Sequence, residues 1–130
     1  MDKLTLKLEL TVYDSDINDI MDTALQGISY WANAEAKGGL RESKYLSDVL
    51  TAGGIITITS AEEEAEFGPV NLTKAAFLGG LQAWFEQGDN NNALEANPMD
   101  GSPTVDAGQI DAGDADVIIQ LSVFGEVVYG

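Results

Sequence analysis

The chain has 130 residues, of which 22 are acidic and 6 are basic, so its formal net charge is -16. It contains no cysteine and no histidine, which excludes disulfides, thiolate chemistry and the commonest general base. Binding to bare nucleic acid is disfavoured as well, because that needs basic side chains to neutralise phosphates. The apolar fraction of 45% is that of a globular protein, and the length predicts a single domain over residues 1–130.

The first two predicted elements are a strand and a helix. Leucine and valine alternate with polar residues over 3–13, which is typical of a half-buried strand. Apolar residues then recur at i, i+3 and i+4 from Ile17 to Trp31, which predicts an amphipathic helix over 16–34. Gly27 inside this helix indicates either a break or a close approach of another element.

A hairpin and a second helix are predicted in the middle of the chain. The β-branched run at 54–60 predicts a strand, and 66–70 is its predicted hairpin partner. Pro69 indicates that this partner lies at an edge or ends there, since proline cannot donate to a strand ladder. Thr73 is suited to cap a helix over 74–87.

The C-terminal part begins with a predicted long acidic and polar loop at 88–108. A helix is predicted over 111–124, with Asp111 at its N-cap. The alternative is a strand at 116–123, favoured by three consecutive β-branched residues. A short closing strand is predicted at 126–129.

These elements predict one α+β domain with a small, mainly antiparallel sheet. The helices at 16–34 and 74–87 should cover one face of the sheet, because the strand at 3–13 has only one apolar side. Trp31 and Trp84 lie on predicted inward faces, which favours core packing, although either could instead anchor an interface. No apolar run is long enough to span a membrane and the N-terminus does not resemble a signal peptide, so a cytoplasmic location is expected.

Two groups of carboxylates are the candidate partner-binding residues. The acidic helix patch is Asp14, Asp16, Asp19 and Asp22, and the acidic turn patch is Glu62, Glu63, Glu64 and Glu66. One interpretation is a solvated surface with charges placed favourably at a helix N-terminus. The other is a row of carboxylates that imitates phosphates. The match in spacing is loose, because phosphates recur at about 3.4 Å of rise along one DNA strand, whereas carboxylates one helical turn apart are separated by about 5.4 Å.

Catalytic and cofactor motifs are absent from the sequence. No nucleophile elbow, phosphate-binding loop, dinucleotide fingerprint or zinc-protease motif is present, so no catalytic residue and no cofactor are predicted. The acidic segment that starts at Asp89 offers only oxygen ligands, but Leu94 stands where a calcium loop of the EF-hand type requires glycine. No dedicated metal site is predicted, while weak adventitious cation binding by this segment stays open.

The segments 16–31 and 109–130, together with the strand entry at Gly53-Gly54, resemble a group of small acidic proteins from phages and prophages of gut Firmicutes. That group has no established activity, so the resemblance assigns no functional residue. It implies a context instead. Small acidic phage proteins of this size are often anti-defence factors, including anti-CRISPR proteins that imitate DNA.

Charge and resemblance together predict a non-catalytic binding protein. Its partner would be a basic protein surface, the nucleic-acid-binding groove of a host defence protein in the host cytoplasm, with no direct binding to nucleic acid or membrane. The alternative is a phage structural or assembly protein that forms homo-oligomers, in which acidity serves solubility only. A homodimer is compatible with either hypothesis.

Overall fold

The computed structural model describes residues 1–4, 9–88 and 90–130. Within these ranges it contains helices α1 (Asp14–Gly27), α2 (Lys74–Glu86) and α3 (Ala112–Phe124), and strands β1 (Ala32–Ala36), β2 (Ile56–Ser60), β3 (Val70–Leu72), β4 (Leu94–Ala96) and β5 (Pro103–Val105). Single 3-10 turns lie at Leu46–Asp48, Asn91–Ala93 and Ala107–Gln109. Strands β1, β2 and β3 form one antiparallel sheet in that order, and β4 pairs with β5. The small α+β fold predicted from the sequence is confirmed.

Helix α1 is shorter than the predicted helix at 16–34, and the last part of that range is a strand. The helix ends at Gly27, and a turn follows in which Trp31 and Ala32 both donate to the carbonyl of Ile28. Residues 32–36 then pair with β2 and alternate in burial. Their alanines favour a helix in isolation, but pairing with a buried strand outweighs that preference.

The predicted strand at 54–60 is confirmed as β2, whereas its partner is shifted from 66–70 to Val70–Leu72. The connection is a wide turn, because the hydroxyl of Ser60 accepts from the N–H groups of both Glu62 and Glu66. Hairpin pairing therefore starts only after Pro69, whose nitrogen has no hydrogen to donate. Strand β3 leads directly into α2, which agrees with the predicted helix at 74–87 and is capped by Thr73.

Two strands predicted near the chain ends are absent from the residues that the structure describes. Of the predicted strand at 3–13, residues 5–8 lie outside the described part; within the rest, Thr11 makes an isolated parallel bridge to Thr104. Residues 126–129 are not a strand. The N–H groups of Val128 and Tyr129 donate to the side chain of Gln120, at 2.7 and 2.8 Å, and not to a neighbouring strand.

The predicted long loop at 88–108 contains regular structure. Strands β4 and β5 form a short hairpin around a turn in which Gly101 has a φ of 74°, a left-handed conformation that favours glycine. The turn is closed by hydrogen bonds between Asn97 and Ser102 and between Gly101 and Asn97. Asp89 lies outside the described residues.

Helix α3 packs against both other helices and confirms the predicted helix at 111–124 over the alternative strand. Two glycines allow this close packing. A Cβ at Gly27 would lie 2.6 Å from the carbonyl oxygen of Ala112, and a Cβ at Gly80 would overlap Ser122. Asp111 caps the helix by accepting from the N–H of Asp114 at 2.8 Å. In the described part of the chain, no helix is both long enough and apolar enough to cross a membrane.

Candidate functional site

The first half of the acidic helix patch serves the structure of α1. Asp14 forms a 3.0 Å salt bridge with Lys74 at the start of α2, with both side chains substantially exposed. Asp16 accepts a 3.1 Å hydrogen bond from the N–H of Tyr13, the residue that precedes the helix. These two carboxylates therefore fix the beginning of α1 and are less available to a partner.

The second half of the acidic helix patch faces solvent. Asp19 and Asp22 are both exposed, because the apolar residues of α1 fill the opposite side: Ile17, Ile20, Met21 and Ala24 are buried. With a rise of about 1.5 Å per residue, the two positions are about 4.5 Å apart along the helix axis. They border a shallow depression of about 330 Å³ that is also lined by Ala107, Gly108 and Ile110.

The acidic turn patch lies in the wide connection between β2 and β3. Glu62, Glu63 and Glu64 are exposed, whereas Glu66 accepts a 2.8 Å hydrogen bond from the hydroxyl of Tyr129. This hydrogen bond is the main reason that the pKa of Tyr129 is raised, with desolvation and the negative charges of Glu66 and Glu62 acting in the same direction. Glu66 is therefore part of a tertiary contact rather than a wholly free carboxylate.

The two patches lie on different elements, one on α1 and the other in the connection between β2 and β3. No hydrogen bond between described residues joins one patch to the other, and the Asp14–Lys74 pair is the one salt bridge found among those residues. Of the eight candidate carboxylates, five are exposed and have side chains that make no described hydrogen bond or salt bridge: Asp19, Asp22, Glu62, Glu63 and Glu64. A partner that used both patches would have to contact both of these elements.

A buried carboxylate, Asp116 on α3, is the structural centre that the sequence analysis missed. Its exposed fraction is 9%. It accepts from the hydroxyl of Tyr30 at 2.6 Å, from the indole Nε1 of Trp31 at 2.8 Å and from Nε2 of Gln120 at 2.9 Å. We call these four residues the Asp116 network. Three neutral donors thus satisfy a carboxylate that has no salt-bridge partner in the described chain.

The Asp116 network raises the pKa of the Tyr30 hydroxyl. Half of the Tyr30 side chain is exposed, at 53%, yet its hydroxyl is held against the carboxylate. Desolvation and then the hydrogen bond and charge of Asp116 raise the pKa of this phenol to about 12. The phenol consequently stays protonated and keeps donating over the whole physiological range.

The same network holds the C-terminal segment at 126–130 in place. The side-chain oxygen of Gln120 accepts from Val128 and Tyr129, while its nitrogen donates to the carbonyl of Tyr129 at 2.9 Å. The ring of Tyr129 stacks on that of Trp31, with centroids 5.2 Å apart and planes 11° apart. Phe67 and Phe124 complete this aromatic cluster, so Trp31 is a core residue, as the sequence favoured.

A sequence signal for this network did exist. Asp116 and Gln120 are one turn apart in a helix whose other central residues are apolar. Asp116 also follows Asp111 and Asp114 near the start of the helix, where acidic residues are favoured for their charge alone, so it does not stand out in the sequence. A helix that is covered by neighbours on most sides buries its polar residues too, and two of them at i and i+4 can then bond each other.

Two further carboxylates have local structural roles in turns. Asp116 does not line the depression beside Asp19 and Asp22. Asp100 and Asp106, which could have contributed oxygen ligands, cap local turns, and the hydrogen bonds from Ser102 lower the pKa of Asp100. Three or more His, Cys, Asp or Glu side chains do not converge anywhere within residues 1–4, 9–88 and 90–130.

Comparisons of the chain with protein-family models, with curated proteins and with solved structures gave no match.

Proposed function

We propose that this chain is a non-catalytic binding protein that presents carboxylates to a basic, nucleic-acid-binding groove of a host defence protein. The observation that carries the proposal is a set of exposed carboxylates on a chain whose net charge is -16: Asp19, Asp22, Glu62, Glu63 and Glu64. Such a surface attracts a basic partner over a distance and repels nucleic acid itself. The sequence resemblance implies a phage-protein context. In that context, the corresponding biological role is that of an inhibitor that imitates DNA.

On α1, two of the four candidate carboxylates are favoured as binding residues. Asp14 and Asp16 are held by Lys74 and by the N–H of Tyr13, so Asp19 and Asp22 are the carboxylates that can bind without disturbing the helix start. Their axial separation of about 4.5 Å is somewhat larger than the rise of about 3.4 Å between successive phosphates of one DNA strand. The mimicry is therefore one of charge density, with side-chain rotation accommodating the difference.

The test is a capture experiment with competition by DNA. The wild-type chain is immobilised and exposed to a lysate of the bacterium that naturally encodes or hosts it, and bound protein is then eluted with short duplex DNA. A partner held through its nucleic-acid-binding groove should be released by the duplex. It should also lose its own DNA binding when the chain is added.

Two double variants make the experiment specific. Asp19→Asn with Asp22→Asn should reduce capture by about tenfold, since charge pairs across an interface contribute strongly to association. Glu35→Gln with Glu95→Gln removes the same charge from two other exposed positions and should reduce capture by about twofold or less. Equal loss in both variants, or capture that duplex DNA does not compete, would contradict the proposal.

The alternative of a self-assembling structural protein gives a different outcome in the same preparation. Sedimentation of the purified chain would then show a defined higher oligomer, whose formation the Asp19→Asn and Asp22→Asn changes would leave intact. A monomer or dimer that captures a DNA-competed partner supports the inhibitor proposal instead.

A further inference from the structure

An open cavity has a lining that includes no residue of either acidic patch. It is lined by the loop at 37–43, by Val49 and by residues 52–55, and its volume is about 790 Å³. Small-molecule sites in proteins have volumes of about 300–1,000 Å³. Leu40, Val49 and Ile55 give the cavity an apolar side, and none of the eight carboxylates of the two patches lines it.

The charge of this lining is opposite to that of the chain. Lys37 and Arg41 contribute two positive charges, and Glu42 contributes one negative charge, so the described lining is net positive. No described carboxylate forms a salt bridge with Lys37 or Arg41. In a chain with only 6 basic residues and 22 acidic ones, two cations placed together and left unpaired by the described chain are unexpected on composition alone.

The backbone of the loop is held in an uncommon conformation at the same place. Arg41 has a φ of 53°, and it is the non-glycine residue of the described chain with a positive φ. Such conformations concentrate at ligand-binding segments. The guanidinium of Arg41 lies over Gly38, where a Cβ would be 3.1 Å from Nη2. The N–H groups of Leu40, Arg41 and Glu42 donate to no backbone acceptor in the described chain.

We propose that this cavity binds a small organic anion, in which one carboxylate, phosphate or sulfonate group is attached to an apolar body. The anionic group is bound by Lys37 and Arg41, since a guanidinium donates well to planar and tetrahedral oxyanions. The apolar body packs against Leu40, Val49 and Ile55. The site shares no residue with the acidic surfaces, so it adds a second binding activity and does not depend on the proposed function.

The experiment uses two fluorescent probes that share an apolar body. Anilinonaphthalene sulfonate carries one sulfonate, and N-phenylnaphthylamine is its uncharged counterpart. The folded wild-type chain should bind the sulfonate more tightly than the amine, although the net charge of -16 opposes any anion. Amide chemical shifts of Gly53 and Gly54, which line the cavity, should move when the sulfonate binds.

The variants separate the site from the general field of the protein. Lys37→Gln with Arg41→Asn removes both cations, and asparagine tolerates the positive φ at position 41. This variant should weaken sulfonate binding by about tenfold and leave amine binding unchanged. Lys3→Gln with Lys44→Gln makes the same change of charge outside the lining and should alter both affinities by about twofold or less.

Three outcomes would overturn the proposal: no sulfonate binding by the wild-type chain, equal affinity for the two probes, or equal weakening in the site and control variants. Circular dichroism confirms that each variant is folded. If the double site variant is unfolded, Lys37→Gln alone decides the question, because Lys37 is exposed and its side chain makes no described hydrogen bond.

Discussion

The exposed acidic patches and the Asp116 network place the same chemical group in opposite surroundings. Asp19 and Asp22 face water and contribute to a long-range negative field, whereas Asp116 lies among aromatic rings and is satisfied by three neutral donors. The field depends on the number of carboxylates, which the sequence states directly. Whether a particular carboxylate binds a partner or holds the fold depends on burial, which only the packing of α3 decides.

The largest expected loss of stability follows from removal of the buried carboxylate, Asp116. Asp116→Ala leaves the indole N–H of Trp31 and one amide hydrogen of Gln120 without an acceptor, so the free energy of unfolding should fall by on the order of 3 kcal/mol. Urea denaturation measures it. Asp22→Ala, the same replacement at an exposed position, should change stability by less than about 0.5 kcal/mol. Similar losses for the two variants would remove the distinction between the two surroundings.

The next effect concerns the attachment of the C-terminal segment. Gln120→Ala deletes the bonds to Asp116, Val128 and Tyr129, and unfolding should become easier by about 2 kcal/mol. Hydrogen exchange at the Val128 and Tyr129 amides should accelerate more than exchange in α1. Gln82→Ala, which removes an exposed glutamine that bonds Glu86, serves as the control and should leave both measurements close to wild type. Unchanged exchange at 128 and 129 would show that the aromatic cluster alone holds the segment.

A smaller effect is a loss of stability at high pH. The pKa of Tyr30 is about 12 in the folded chain and 10.0 for a free phenol, so between these values the folded state keeps a proton that the unfolded state releases. Stability from this residue is therefore complete below pH 10 and declines as the pH rises through 12. Tyr30→Phe should make the stability profile shallower in that window, as followed by urea denaturation at a series of pH values. A residual slope is expected from Tyr129, whose pKa is raised as well.

The smallest effect sharpens the comparison from the exposed side. Changing Glu62, Glu63 and Glu64 together to glutamine reduces self-repulsion, so the melting temperature should rise slightly at low salt. The gain should correspond to a few tenths of a kcal/mol and should vanish at high salt, because exposed charges are screened within about 8 Å at physiological ionic strength. Thermal melts at two salt concentrations measure it. A large loss of stability would show that these side chains hold the turn.

Periodicity and capping residues predicted much of this fold. The apolar face of α1, the strand β2, and helices α2 and α3 with their Thr73 and Asp111 caps are local features of the sequence. Strand β1 could not be predicted in the same way. Its alanines favour a helix by themselves, and their conformation is decided by pairing with β2, which is distant in the sequence.

The candidate sites also differ in whether local sequence predicts them or tertiary contacts decide them. Exposure of Asp19, Asp22 and Glu62 to Glu64 follows from their position on polar faces and turns. The Asp116 network joins positions 85 and 86 residues apart, and no local pattern indicates which donor reaches which acceptor. The cationic cavity also depends on a tertiary contact, because residues 37–43 and 52–55 meet only where the β1–β2 hairpin closes.

The close packing of α3 has a consequence for the order of folding. The helix contacts α1 and α2 through Gly27 and Gly80, yet it follows both in the chain. During synthesis, the parts of the first two helices that pack on α3 stay uncovered until residues 112–124 have been made. Proteins with many sequence-distant contacts fold more slowly. The nascent chain therefore exposes aggregation-prone apolar surface for longer than a bundle of helices adjacent in sequence would. The abundant negative charge then has a second use, since mutual repulsion keeps such unfinished chains apart.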